Sequence, residues 1–577
     1  MKKRLLRILP GLLLIATMLS VQASAAPVSR AEMISSIVSA LDLPLWSGSR
    51  HFQDLPASHP HSRAVESAAA LGVLHPAEKF YPDMEASRAE ALMYSLRAMG
   101  LAKEAAIIGR LQLERHTDLP AYIHSYYRIA ETMSPQPPEA LLSRPRDVLQ
   151  TDDMPGLARW LAGCRGHLFW EERFEGNRTT LILNRSNIGR PPASWAVQAG
   201  VFPTGSREAD SLMQKIRARG IPCSIEERPS GRTVLVGPFL HYAEAWAKSD
   251  TVKDLGETRI VPFEEGRSEA LFWSAIVTNI DRSLPRIVTA GEIAGRRQPL
   301  SWIAQNTDAE GAVNGGFFDG VNIVGSLVTR GFPVNGPWRT RSAIGWNRAG
   351  TFHFGPGQFR TVLRSKDTVL EVNEYNRAPG NNGVSVYSPH IWYFAMGIPA
   401  DATEGKVVDG TLTEVKGAHL SSHFVPRDGY LVVARGHAAH RLKQIPEGSS
   451  LEMELSWHDS GFEDCTEVLQ AGPMLLFEGN RALSPEGFTE SFITGRHPRS
   501  IVGMEGNNLW WIVIDGRDSW HSRGCSLEEA LSLAKGLGLS NALNLDGGGS
   551  STMWWRGAVV NSPSGASERP LPYAVVF

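Results

Sequence analysis

The 577-residue sequence is poor in several things, and each shortage narrows what the chain can be. Cysteine is scarce: Cys164, Cys223, Cys465 and Cys525 are the four present, at spacings that match no metal motif. Net charge is nearly absent at −2, which argues against wholesale binding of nucleic acid or acidic polymers. Beyond the first 25 residues no apolar run is long enough to span a bilayer. Neither G-x-x-x-x-G-K-[ST] nor G-x-G-x-x-G follows a strand, so nucleotide binding by those routes is not expected. A G-x-S-x-G elbow is missing too, which argues against a serine hydrolase of that type. No spacing specifies a metal, and no cofactor is expected, although clustered Asp and Asn side chains leave calcium open.

What is present begins with MKKRLLRILPGLLLIATMLSVQASA: a basic start, an apolar core from Ile8 to Val21, and Ala23-Ser24-Ala25. This reads as a secretory signal peptide, residues 1–25, and places the mature chain outside the cytoplasm with no membrane attachment. In an exported chain cysteines can pair, and Cys465 with Cys525 is the one pair within a single expected domain. At about 150 residues per domain, the length predicts three to four domains.

Residues 26–165 read as helices between polar loops. Ser29 and Ser87 are N-caps, with Glu32 and Glu90 at the capping-box position, and S-R-A-E recurs at 29–32 and 87–90. With the turn Phe52-x-Asp54-x-Pro56, this repeat resembles the S-layer homology domain, which implies attachment to bacterial cell-wall polysaccharide. A degraded third copy runs from Thr117-Asp118-Leu119-Pro120 to Asp152-Asp153-Met154. Residues 166–193 read as a linker with one short strand pair, HLFWEERF and TTLILN. Residues 194–263 then give a β-α-β-β-α-β order, a small ferredoxin-like domain. Through VQAGVF (197–202) and VGPF (236–239) it resembles the sporulation-related repeat (SPOR) family, which implies peptidoglycan binding through its sheet face.

From 264 to 577 strands, glycine turns and tryptophans take over, giving a large, mainly β, α+β domain. A clear helix there, SLEEALSLAKGLGL, starts at Ser526 with Glu529 completing its capping box. The chain as a whole is therefore expected to be multidomain: a helical region, a ferredoxin-like module and this domain. Its most informative stretch is NALNLDGGGSSTMWW, where an apolar strand delivers Asp546 into Gly547, Gly548 and Gly549, followed by Ser550, Ser551 and Thr552. Successive N–H groups in such a turn can form a concave anion site, with the hydroxyls as added donors. A second strand, WWIVID, ends the same way at Asp515.

Segments AVNGGFFDG (312–320), RTRSAIGW (339–346), AGPMLL (471–476), RHPRSIVGM (496–504) with WWIVIDGRDSWHSRGCSL (510–527), and LNLDGGGSSTMWW occur in the order found in the phosphodiester glycosidase family. The domain resembles that family, with Trp510-Trp511 and Trp554-Trp555 bulkier than its pattern. The resemblance implies hydrolysis of a sugar-1-phosphodiester such as an N-acetylglucosamine-1-phosphodiester. Its chemistry calls for guanidinium groups at the phosphate, and Arg341, Arg496, Arg499 and Arg517 lie in or beside the motifs, with Arg499 and Arg517 at strand ends. Two carboxylates at strand ends, Asp546 and Asp515, are candidates for nucleophile, base or acid, with Asp515 equally able to start a turn. Because phosphate leaves readily, one carboxylate can suffice. Glu374 and His497 are further acid–base candidates, while Asn314, Gly315, Gly316 and Asn544 are candidates for holding sugar hydroxyls or an N-acetyl group. Two other readings stay open: a wall-bound scaffold that only binds phosphorylated glycans, and a hydrolase of ordinary glycosides that needs a true acid.

Overall fold

In the computed structural model, residues 25–46, 50–75, 77–112, 119–192, 194–203, 205–228, 231–263, 268–293, 296–565 and 567–577 are described. The expected signal peptide, save its last residue, and Thr117-Asp118 of the third repeat copy lie outside them. The chain is multidomain and rich in antiparallel sheet.

Between residues 28 and 166 the helices include Arg30–Ala40, Arg88–Ala98, Ala102–Arg110 and Met154–Gly166. The S-R-A-E sequence starts two of them: Ser29 Oγ accepts the Glu32 N–H, and Ser87 with Glu90 closes a reciprocal capping box. Asp54 of the intervening turn accepts the N–H groups of Phe80 and Tyr81 at 2.8 and 2.7 Å, which ties the two repeat units together.

The expected linker is not one. Phe169–Glu175 and Thr179–Ser186 form a hairpin that pairs along Leu271–Asn279 and so begins an eight-stranded sheet. The sheet continues through Asn508–Ile514, Arg499–Glu505, Asn541–Asn544 and Met474–Phe477, antiparallel throughout. The C-terminal domain therefore starts before residue 194, not at 264, and the small domain is inserted in it.

A second sheet of five antiparallel strands is built around Gly311–Asn314, flanked by Met553–Trp555 and Tyr573–Val576. Strand alternation explains how the two sheets stack. In Asn508–Ile514, Leu509, Trp511 and Val513 join one core with Val313, Met553, Trp555 and Val575 of the second sheet. The alternate residues Trp510, Ile512 and Ile514 pack instead under helix Leu527–Gly536. On the far side, Ala312, Trp554, Ala574 and Val576 pack under helix Leu300–Gln305. The result is a helix–sheet–sheet–helix stack. Tryptophan at 510–511 and 554–555 fills both faces of its sheet, which accounts for the bulk noted in the sequence.

The inserted domain has strands Trp195–Phe202, Cys223–Arg228, Gly231–Phe239 and Arg259–Pro262, with helices Arg207–Arg217 and Tyr242–Val252. One sheet face packs on its helices through Trp195, Val197 and Val236. The other face, expected to be open for glycan, is buried at Ala196, Gln198, Thr233, Leu235 and Val261. Arg259 shares that face with Val261 and donates to the Pro563 and Gly565 carbonyls of the C-terminal domain. A domain contact thus takes up the Arg259 end of this face.

The Cys465–Cys525 pairing that the sequence leaves open is not made. All four cysteines are free, and these two lie in different cores. Thiol titration of the unfolded, unreduced protein is expected to find four thiols; two would restore the disulfide.

Candidate active site

The two sheets bring the Asn314 and Asp546 turns together. Asn314 Nδ2 donates to the Asp546 carbonyl at 2.8 Å, and its Oδ1 accepts from Ser500 Oγ at 2.8 Å and the Thr552 N–H at 3.3 Å. Tyr573 Oη accepts the Gly316 N–H at 2.7 Å, and its ring packs where a Gly315 side chain would stand. Asn314, Gly315 and Gly316 therefore clamp the glycine turn, with no free amide for a sugar. Asn544 is buried as well, donating to the Gly472 and Leu545 carbonyls.

Asp546 emerges from this clamp half-buried. Burial pushes its carboxyl up to about 6, against the opposing pull of Arg569, the Ser550 hydroxyl and the Gly547 N–H. Arg569 Nη1 also donates to Ser550 Oγ at 3.2 Å. Gly548 has φ 61, and a Cβ on Gly549 would stand 2.5 Å from the Arg569 guanidinium. Glycine at 549 thus lets an arginine lie flat against the turn. The expected nest of free N–H groups is not what the turn provides. Gly548 N–H is given to the Pro498 carbonyl at 2.9 Å, and those of Ser550 and Ser551 close turns within the segment. Ser551 Oγ lies 3.2 Å from Ser500 Oγ, and Thr552 is buried. Positive charge at this site comes from side chains.

Arg517 is one of them. Its guanidinium lies against Gly548, and Nη1 donates to Ser564 Oγ at 3.3 Å. Its backbone is left-handed at φ 62, a conformation that costs a non-glycine residue about 1–2 kcal/mol. Strain of this kind concentrates where a side chain must be aimed. His497 sits beside Arg517 and Arg499, and burial with these two cations lowers its pKa to about 4. It is a neutral imidazole at pH 7, with a buried Nδ1 lacking a hydrogen-bond partner among the described residues.

Asp515, which looks like Asp546 in sequence, has a different place. It is fully buried, its Oδ2 bound to His521 Nε2 at 2.9 Å and the Ser562 N–H at 2.6 Å, its Oδ1 to Asn561 Nδ2 at 2.8 Å. Its carboxylate anchors the loop that carries Ser564. Arg499, also buried, donates to the carbonyls of Cys525, Phe492 and Gly495, and burial lowers its pKa to about 10. Arg496 is exposed and paired with Glu529 at 2.8 Å. Arg341 stacks on Phe488 with its guanidinium carbon 3.9 Å from the ring centroid. Glu374 lies on a separate sheet, in an ion pair with Arg377 at 3.2 Å. The structure therefore gathers Asp546, Ser550, Arg517 and His497, and adds Arg569. Nothing near Arg569 in the sequence marks it, since it lies in SERPLPY, outside every motif. Among the described residues no three His, Cys, Asp or Glu side chains converge as a metal set.

Comparison with known proteins bears on this site. Residues 401–577, which hold Asp546, Arg517 and Arg569, match the sequence model of the phosphodiester glycosidase family. No curated protein sequence matches the chain. The fold is similar to that of an exported protein from Burkholderia pseudomallei K96243, with TM-score 0.50 and 18% identity over 71% of this chain and 96% of that one. Weaker likenesses are to a hypothetical protein from Synechocystis and to the catalytic domain of zebrafish N-acetylglucosamine-1-phosphodiester alpha-N-acetylglucosaminidase. The first has TM-score 0.45 and 19% identity, covering 71% of this chain and 77% of that one. The second has TM-score 0.29 and 15% identity, covering 62% and 81%. Among the described residues no helix is long and apolar enough to cross a membrane.

Proposed function

We propose that the chain is an exported cell-envelope hydrolase that cleaves sugar-1-phosphodiester bonds, with its N-terminal repeats associating with wall polysaccharide. The observation that carries the reading is Asp546, a carboxyl raised to about 6 in a glycine turn that also seats Arg569 and Arg517. At pH 7 this carboxyl is mostly ionised yet still basic enough to take a proton, which suits a general base. Asp546 removes a proton from water as the water oxygen bonds to the anomeric carbon. The C1–O electron pair leaves with the phosphate, and the products are free sugar and a phosphomonoester. Arg569 and Arg517 meet the charge that grows on the departing phosphate. Asp515, the other strand-end carboxylate, is saturated by His521, Asn561 and Ser562 and so is not available as a strong acid, and a phosphate leaving group needs none. This favours phosphodiesters over ordinary glycosides.

Incubating the full chain with an N-acetylglucosamine-1-phosphodiester and following both products tests the reading. Wild type is expected to release sugar and phosphomonoester in equal amounts, and Arg569→Ala to lose about 10²–10³ in kcat/KM. Release by Arg569→Ala at the wild-type rate would remove the phosphate from Arg569. No release by wild type would overturn the reaction class.

A further inference from the structure

The inserted domain does more than fill a gap in the chain. A cleft of about 860 Å³ separates it from the C-terminal domain, and its floor includes Gly549 and Arg569 of the candidate site. One wall is supplied by Phe202 and Lys215 of the inserted domain, the other by Phe318 and Arg297. The volume is at the upper end of the ~300–1,000 Å³ that encloses a whole small ligand. One sugar and its phosphate leave much of it empty.

Resting on the reaction class proposed above, we infer that this cleft binds an uncharged oligosaccharide chain continuing from the phosphodiester, so that the substrate is a glycan and not a small diester. Three features point to that chemistry. The cleft reaches the turn that follows Asp546 at Gly549, beside Arg569, so a chain attached to the scissile group can enter it. Its walls each carry a half-buried phenylalanine, which suits the apolar C–H face of a pyranose ring. Around them lie serines and glycines, and the cations Lys215, Arg297 and Arg569 are outnumbered by Glu208, Glu257, Asp319 and Glu568, a mixture that fits hydroxyl groups better than a polyanion. Neither Lys215 nor Arg297 has an ion-pair partner among the described residues, which leaves both as donors to the chain. The inserted domain would thus act as half of a binding cleft, with Arg259 fixing its position.

The test uses two diesters of N-acetylglucosamine-1-phosphate, one esterified to methanol and one to a β-1,4-linked N-acetylglucosamine tetrasaccharide. The ratio of kcat/KM values, long over short, is expected to exceed ten in wild type and to fall about tenfold in Phe202→Ala and in Lys215→Glu. Lys215 is exposed on its helix, so its substitution leaves folding intact even if Phe202→Ala does not. A wild-type ratio near one, or an unchanged ratio in Lys215→Glu, would overturn the cleft assignment while leaving the reaction class in place. If neither diester is cleaved, the reaction class fails, and calorimetry with the free tetrasaccharide decides the cleft alone. Binding weakened tenfold by Lys215→Glu supports it; affinity no greater than that of the monosaccharide overturns it.

Discussion

Asp546→Asn is expected to lower kcat by about 10³-fold or more and, at the same time, to raise the melting temperature at pH 8. The first effect follows from removing the base, a contribution of about 10²–10⁴-fold in general. The second follows from burial. The folded carboxyl titrates near 6, against about 3.9 unfolded, so the fold prefers the neutral acid. That preference stabilises fully below pH 4 and is lost as the pH rises through 6, where the folded state must hold a poorly hydrated charge. At about 1.4 kcal/mol per pH unit, ionisation costs the fold at most about 3 kcal/mol. Arg569, the cation facing the carboxyl, is already included in that balance. Asparagine never ionises, so the variant gains at pH 8 and not at pH 4. Wild-type kcat/KM is expected to rise tenfold per pH unit up to about 6 and then level. Calorimetric scans at the two pH values, paired with the sugar-release assay, check both effects. A variant that is inactive and less stable at pH 8 would make Asp546 structural.

The largest stability loss is expected at Arg185, a residue outside the turn. Arg185 is wholly buried, pairs with Glu104 at 2.7 Å, and donates to the carbonyls of Asn187, Trp520 and His521. Glu104 in turn meets His521 Nδ1 at 3.0 Å, and His521 holds Asp515. Beside them, Lys103 pairs with Asp518. Burial opposes ionisation of Glu104, yet His521 and Arg185 outweigh it and bring its pKa down to about 2. Burial disfavours His521⁺ too, but Glu104 and Asp515 raise it above its ordinary value. Removing one member of such a set strands the others, at a cost of 3–5 kcal/mol. Arg185→Met is therefore expected to lower the melting temperature by roughly 10 °C, and adding Glu104→Gln to restore part of it. Because the folded Glu104 value is depressed, its stabilisation is complete above pH 5 and fades as the pH falls toward 2. A double variant no better than the single one would mean that Arg185 acts through packing alone.

Asp515 and Asp546 show how far the sequence could be read. Both end apolar strands and precede glycine, and both strands form as their patterns predict. What separates the two carboxylates is what covers them. Asn561 and Ser562 reach Asp515 from a loop 46 and 47 residues away, and nothing local announces that loop. Arg499 is similar: a strand-end arginine suggests a ligand, but alternation and the neighbouring carbonyls turn it inward. The capping boxes at Ser87 and Ser526 were legible because both partners lie within one turn of helix. The hairpin at 169–186 was legible as strands but not as sheet, since its partner strand begins at Leu271, beyond the inserted domain. Short-range chemistry is written in neighbouring residues; long-range pairing is not.

The inserted domain leaves and re-enters the sheet through almost the same point. The Phe263 N–H donates to the Ser194 carbonyl at 2.9 Å, so the two ends of a seventy-residue excursion meet within one hydrogen bond. An insertion whose ends touch imposes no separation on its host, which is the geometry that tolerates exchange of whole modules. Lineages with this scaffold can therefore replace the module between Ser194 and Phe263, and with it one wall of the cleft, without redrawing the sheets that hold Asp546. Recognition and chemistry are free to evolve at different speeds in one polypeptide.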